Sequence, residues 1–225
     1  MIYNFLHSAR LIGDVCVSFN DKCATGIEPL LDNIGLAGRL VSRGGSAAQR
    51  QSILPGLIDG KLKLAFAYLE PASRYDLTGA KTTAKAAGEG WVLDGEKSVV
   101  IGAPSAGKLI VSARTAGKAG DATGLSLFVV DAKAAGVSQS ASRTVDGQRA
   151  ADLRFTGVKL GADALLGPKD GALPLIEEAI DFATALLCAD AIGCMKNAND
   201  ATLEYLKTRK QFGQAIGSFQ ALQHR

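Results

Sequence analysis

The sequence is poor in the residues that most catalytic centres use. It has two histidines, His7 and His224, one tryptophan, and only 6% aromatic residues in 225. Histidines at opposite ends of the chain speak against a serine–histidine–aspartate relay. The four cysteines, Cys16, Cys23, Cys188 and Cys194, form no C-x-x-C pair. No metal site is expected, and the thiols read as free, buried groups in a reducing cytosol. No apolar run reaches about 18 residues without a charge, so no membrane span is expected. The start, Met1-Ile2-Tyr3-Asn4-Phe5-Leu6, lacks the basic flank of a secretory signal, which leaves a cytoplasmic location. The net charge is only +3, with Lys and Arg spread along the chain, and a nucleic-acid binder carries a basic stripe instead. G-x-G-x-x-G after a strand, G-x-x-x-x-G-K-[ST], G-x-S-x-G and H-E-x-x-H are all missing.

What remains is a chain of ordinary globular composition, 47% hydrophobic and 21% charged, punctuated by 26 glycines. Its length suits one large domain or two modest ones. Three regimes follow one another. From Ile27 to Ile58 the period is helical, carried by Leu30, Leu31, Ile34, Leu36, Leu40 and Val41; a weaker helical pattern covers Ile2 to Val17. Gly44-Gly45 breaks the helix, and Ser46 with Gln49 forms a capping pattern for a second one, with Ile53, Leu54, Leu57 and Ile58 inward and Gly60 at its end.

From Leu64 to Leu166 the pattern is that of strands. Leu64 to Leu69 is an apolar run closed by Glu70-Pro71. Trp91-Val92-Leu93 meets Asp94-Gly95, a tight-turn dipeptide, and Ser98 to Ile101 follows. Leu109 to Ala113, Leu125 to Val130 and Ala150 to Phe155 are further strands, and Gly117 to Gly120 reads as a hairpin loop. Strands joined by Gly and Asp turns, with no helix between them, predict an antiparallel barrel or sandwich. From Gly171 the stripe Leu175, Ile176, Ala179, Ile180, Ala183, Leu186, Leu187, Ala191, Ile192 and Met195, extended by Leu203 and Leu206, predicts a helix of roughly 35 residues. A helix of that length needs bundle partners. Another helix begins near Ser218. The boundaries that follow are 1–61, 62–166 and 167–225.

Three features stand out chemically. Glu70-Pro71-Ala72-Ser73-Arg74-Tyr75-Asp76 leaves a strand, and its backbone N–H groups could meet a phosphate or a flavin edge; a plain strand-ending turn is the alternative. Arg209 in Thr208-Arg209-Lys210-Gln211-Phe212-Gly213 offers a fork for a diphosphate, and Phe212 a flat face; cationic capping of the long helix is the alternative. Gln220 and Gln223 open the next helix, where an amide pair either fixes a polar cofactor edge or faces solvent.

The order of these blocks resembles the acyl-CoA dehydrogenase family. The blocks are Gly45-Ser46-x-x-Gln49-Arg50, Leu54-Pro55 with Gly60, Ala67 to Asp76, Trp91-x-x-x-Gly95-Glu96-Lys97, Ala162 to Gly167, Arg209 to Gly213, and Phe219-Gln220. Phe66 to Asp76, Asp94 to Val100 and Tyr205 to Gly213 look like the pimeloyl-CoA dehydrogenase small-subunit branch.

The resemblance implies an α+β architecture: an N-terminal helical domain, a middle antiparallel β-barrel and a C-terminal helical bundle, here partial at both ends. It implies FAD, an acyl-CoA substrate, α,β-dehydrogenation, an electron-transfer flavoprotein as acceptor, and association with itself or another subunit of the family. It places Tyr68, Leu69, Val99 and Ile101 beside the flavin, and Arg209, Phe212 and Gln220 at the FAD of a neighbouring subunit. Tyr75 and Asp181 fall at substrate-side positions. Leu69 stands where the family prefers a hydroxyl, Val99 where it has Trp, Ile101 where it has Thr or Ser, Tyr75 where it has Ser, and Arg74 where it has Gly. The family's base lies either in a segment this chain lacks or at the position of Ala183, followed by Thr184 in place of Arg; no residue here is assigned that role. Glu177 and Glu178 read as solvated or helix-pairing carboxylates. A non-catalytic partner of a catalytic subunit, or an inactive truncated product, are the alternatives.

Overall fold

The computed structural model describes residues 36–73 and 75–224. The expected helix over 2–17, the positions Leu30, Leu31 and Ile34, and His7, Cys16, Cys23 and Arg74 lie outside the described residues. The chain divides into two compact units, Leu30–Ala183 and one whose described part is 184–224.

In the first unit, helix α1 (Arg39–Gly44) is followed at once by α2 (Ala47–Ile58). Ser46 caps α2 as expected: the Gln49 N–H donates to Ser46 Oγ at 3.2 Å, and the Ser46 N–H donates to Gln49 Oε1 at 2.9 Å. Each bond satisfies an orphan donor of the helix start. Gln49 Nε2 also donates to the Asp163 and Leu165 carbonyls, so the cap ties the helix to the sheet. Ile53 and Leu57 are buried, but Ile58 is exposed. It follows Leu57 by a 100° step and so leaves the inward stripe.

The strands are β1 (Leu64–Ala67), β2 (Thr83–Ala87), β3 (Gly90–Ile101), β4 (Lys108–Arg114), β5 (Leu125–Asp131), β6 (Val137–Arg143), β7 (Arg149–Leu160) and β8 (Leu165–Leu166). Hydrogen bonding runs β6-β7-β3-β2-β4-β5-β8, with β1 also on β4. The expected all-antiparallel sheet is mixed instead. β1 pairs with β4 in parallel from Leu64–Lys108 to Ala67–Val111, and β2 meets β4 in parallel at Thr83–Arg114. Both therefore follow β4 in the same direction, and the intervening residues 68–82 leave the sheet between them. Strand propensity says which residues extend, not which way a neighbour runs. Among the described residues, the path is open, and β6 and β8 are its two ends.

A second departure lies in β3. Asp94-Gly95 is not a turn; one strand passes straight through it. Gly95 pairs with Phe155 of β7 across a register shift, with φ 145°. A side chain there would collide with Thr82, whose Cα and Oγ1 lie 2.6 Å from where a Cβ would stand. Asp94 Oδ1 accepts the Gly157 N–H at 2.7 Å. The dipeptide that elsewhere closes a hairpin here stays within the strand, and the extra residue lies on β7, where Thr156 and Gly157 together oppose Asp94.

One core fills the inner face of the sheet with Leu93, Leu109, Val111, Phe128, Val130, Leu153, Phe155 and Val158; Trp91 stands edge-on to Phe128, centroids 5.2 Å apart. The other core places Leu40, Val41, Ile53, Leu57, Phe66, Ile110 and Leu127 with Ala172, Ile176 and Ala179. Since β1 and β4 are buried on both faces, they read as continuous apolar runs rather than as alternation.

Arg114 is buried and donates to the carbonyls of Thr78, Ala80, Asp121 and Thr123, which fixes the β4–β5 loop against the segment before β2.

Helix α3 (Leu173–Thr208) has 36 residues, matching the length its stripe predicts. Within the first unit its contribution is Ile176, Ala179 and Ala183, spaced three and four apart as one helical face requires. In the second unit α3 is followed by the short pair β9 (Lys210–Gln211) and β10 (Gln214–Ala215), and by α4 (Gln220–Gln223). Cys188 and Cys194 are free but exposed, contrary to the expectation of buried thiols; in this part of α3 the stripe residues Leu187 and Met195 are exposed as well. Among the described residues, no helix is long and apolar enough to cross a membrane.

Candidate functional site

The site forms where residues 68–82 leave the sheet. The Ser98 N–H donates to the Leu69 carbonyl at 2.9 Å, so β3 holds the chain just beyond β1. Beneath this bond Lys97 points inward. Its Nζ donates to Glu70 Oε1 at 2.8 Å, to Ser112 Oγ at 3.0 Å and to the Tyr68 carbonyl at 3.4 Å. Glu70 also accepts the N–H groups of Lys81 at 2.7 Å and Thr82 at 3.0 Å.

A buried ammonium or carboxylate persists only with such partners. Burial pulls the Lys97 ammonium down to about 8, against the Glu70 charge and hydrogen bond, which raise it. Burial also pushes the Glu70 carboxyl up, but the Lys97 charge and the hydrogen bonds from Lys97, Lys81 and Thr82 outweigh it and leave the group below its usual value. Both groups are therefore charged at neutral pH. Neither was singled out from the sequence. The signal available was a lysine at an inward position of a strand, which needs a counter-charge elsewhere.

Next to this pair lies a cleft with an empty volume of about 350 Å³, walled by Leu36, Phe66, Tyr68, Leu69 and the four residues Ser98 to Ile101. Tyr68, Leu69, Val99 and Ile101, four of the residues expected beside a flavin, are thus brought together in one wall. Phe66 and Tyr68 stack with centroids 4.7 Å apart. Val99 is half exposed and has φ 48°, a conformation that β-branched residues rarely adopt. Leu36, Phe66, Ser98 and Val100 complete the wall without having been singled out, because pleat alternation gives no reason to expect consecutive residues on one side.

Part of the backbone of the loop after Glu70 is engaged within the loop. The Glu70 N–H donates to Ser73 Oγ, the Ser73 N–H to the Glu70 carbonyl, the Asp76 N–H to the Ser73 carbonyl, and the Thr78 N–H to Asp76 Oδ1. With those of Lys81 and Thr82, these donors are consumed by the loop itself. The Thr78 side chain and backbone bonds hold the Asp76 carboxyl below its usual value. Tyr75 is 97% exposed on this loop.

On α3, Asp181 is exposed and Ala183 buried. Glu178 pairs with Arg39 at 2.7 Å and Arg43 at 3.2 Å, which makes it a helix-pairing carboxylate. Arg39 also lies over the Phe182 ring, 4.1 Å from its centroid.

In the second unit, Arg209 ends α3, its N–H donating to the Tyr205 carbonyl. Phe212 occupies the β9–β10 turn with φ 53° and 92% exposure, edge-on to Phe219 at 6.3 Å. Gln220 opens α4 and is exposed. These three residues occupy one short stretch of the second unit.

Comparison with known proteins gives consistent matches. Residues 65–158 match the model of the acyl-CoA dehydrogenase middle domain, and residues 172–225 that of the acyl-CoA dehydrogenase C-terminal domain. The chain is 32% identical over 184 residues to the mitochondrial isovaleryl-CoA dehydrogenase of Arabidopsis thaliana, covering 80% of this chain and 45% of that protein. It is 32% identical over 190 residues to the caffeyl-CoA reductase–Etf complex subunit CarC of Acetobacterium woodii, covering 83% and 50%. Among solved structures, the prolyl acyl carrier protein oxidase AnaB superposes with a TM-score of 0.81 at 26% identity, over 86% of this chain and 52% of that one. The chain thus spans about half the length of the curated relatives it matches.

Proposed function

Because the chain belongs to the acyl-CoA dehydrogenase family, we propose that it is the flavin-binding part of an FAD-dependent enzyme that introduces an α,β double bond into an acyl-CoA thioester, of the pimeloyl-CoA dehydrogenase small-subunit type. The observation that carries this reading is the cleft in which Tyr68, Leu69, Val99 and Ile101 share a wall. Its apolar, partly aromatic lining fits a flat ring system better than a phosphate chain. When bound, FAD supplies the acceptor for the β-hydrogen as hydride and passes electrons on to an electron-transfer flavoprotein.

The chain's own residues bind and orient. Phe66 and Tyr68 offer a flat wall. The Lys97–Glu70 pair and the Ser98–Leu69 bond hold the two sides of the cleft together. Leu69, Val99 and Ile101 keep water from its interior. Arg209 and Phe212, exposed in the second unit, serve the FAD of a neighbouring copy or of a related subunit, which makes the working form an oligomer. Tyr75 and Asp181 meet the acyl-CoA from exposed positions. The protein acts in the cytoplasm.

A second reading has its own observation. Among the described residues lining the cleft there is no carboxylate, and a buried alanine, Ala183, stands where a minority of the family carries its base. A subunit built this way binds flavin or supports a catalytic partner without abstracting a proton itself.

An absorption spectrum after exhaustive dialysis, followed by an assay with pimeloyl-CoA and an artificial electron acceptor, tests both readings. Flavin bands with turnover support the first. Flavin bands without turnover support the second. A colourless protein that takes up no added FAD removes the flavin assignment.

A further inference from the structure

β3 leaves its regular course at one more point. Lys97 faces Leu153 of β7 and Val100 faces Ala151, so Ser98 and Val99 together oppose the single residue Asp152. This two-against-one arrangement is a β-bulge. Its second residue, Val99, has φ 48°, a left-handed conformation that glycine takes freely and that a β-branched side chain resists. Such strain persists only where the surroundings over-determine it.

The two N–H groups of the bulge are held by different segments. That of Ser98 donates to the Leu69 carbonyl at 2.9 Å. That of Val99 donates to Asp152 Oδ1 at 2.9 Å. The consequence shows in the cleft. A regular strand sends successive side chains to opposite faces, yet Ser98, Val99, Val100 and Ile101 all contribute to one wall. The break at Val99 permits this, and the Asp152 carboxylate, which does not itself line the cleft, holds the break in place.

We propose that Asp152 is a positioning residue of the flavin site: its carboxylate holds Val99 in the left-handed conformation and thereby sets the wall that receives the ring. The proposal rests on the FAD reading given above. No contact between Asp152 and the cofactor is required, so the effect of its removal is indirect and can be rescued at Val99.

The experiment uses the full chain, with FAD affinity read by fluorescence titration and the bound-flavin absorption band recorded alongside. The variants are Asp152→Ala, Asp152→Asn, Val99→Gly and the double variant Asp152→Ala/Val99→Gly. Asp152→Ala is expected to weaken FAD binding about tenfold or more and to alter the band. Asp152→Asn, whose amide oxygen still accepts the Val99 N–H, stays within about threefold of the wild type. The double variant binds like Val99→Gly alone, because glycine takes the left-handed conformation without strain and so needs no clamp against it. Unchanged affinity in Asp152→Ala overturns the proposal, as does an Asn variant as weak as the Ala variant or a double variant that gains nothing. A wild-type chain that takes up no FAD overturns the cofactor reading instead. The clamp is then decided by residue-resolved amide exchange: slow exchange at Val99 that becomes fast in Asp152→Ala supports it, and equal exchange in both overturns it.

Discussion

Lys97 Nζ lies 2.8 Å from Glu70 Oε1, with the lysine side chain 0% and the glutamate side chain 7% exposed. The pair bridges β3 and the first residues to leave the sheet after β1, so one contact fixes both sides of the candidate cleft. An exposed pair contributes little to stability. A buried one behaves differently, because either partner left alone keeps its desolvation cost.

Lys97→Met is therefore expected to destabilise the chain by about 3–5 kcal/mol, the range for a buried ion pair broken from one side. The double variant Lys97→Met/Glu70→Met should not recover wild-type stability, since the Lys81 and Thr82 N–H groups lose their acceptor. Urea denaturation of both singles and the double checks this. Full recovery in the double variant contradicts the role assigned to those two N–H bonds.

The same pair sets a pH dependence on each side of neutrality. The Lys97 pKa is pulled by burial from 10.5 down to about 8. Between these values the unfolded chain holds the proton and the folded one does not, so the lysine makes stability rise with pH over that window. The gain is on the order of 3 kcal/mol. The Glu70 carboxyl is held below its usual value, so its contribution is present above the ordinary carboxylate pKa and is lost as pH falls through the folded value. Denaturation of the wild type minus that of the Lys97→Met variant, measured from pH 8 to 10.5, should climb. A flat difference contradicts the burial of a charged lysine.

Gly95→Ala tests the close strand crossing that replaces the expected turn. The backbone has φ 145° and the added methyl meets Thr82, so a loss above about 1 kcal/mol is expected. An alanine in an unconstrained turn costs far less. Thermal melts of Gly95→Ala and Gly88→Ala, the latter at an open position, separate the steric term from the backbone one.

Ser46→Ala removes half of the capping box on α2. The expected loss is about 0.5–2 kcal/mol, and Ser46→Asp should restore most of it. An alanine variant as stable as the wild type, measured by denaturant midpoint, contradicts the cap.

Much of the architecture was legible because it depends on local period. The α3 stripe spaces Ile176, Ala179 and Ala183 on one face, and Ser46 with Gln49 announces a helix start in four residues. Leu109 to Ala113 and Leu125 to Val130 are strands by composition alone. The misreadings have a common origin. Asp94-Gly95 supports a turn or a continuing strand equally well, and the choice fell to the neighbours Thr82, Phe155 and Gly157. The strands β2 and β6 are rich in Ala, Ser and Lys, so pairing and not propensity made them strands. Ile58, next to the buried Leu57, shows that a hydrophobic residue beside a stripe is not thereby part of it.

The sequence by itself determined the succession of helices, strands and long helix, and the cap on α2. Tertiary structure alone decided that β1 lies parallel to β4, that Lys97 meets Glu70, and that Asp152 holds Val99 in a left-handed conformation. Periodicity is written along the chain and can be read from one segment at a time. Strand direction, buried charge pairing and backbone strain exist only between segments, and they are settled when desolvation and sterics are satisfied together.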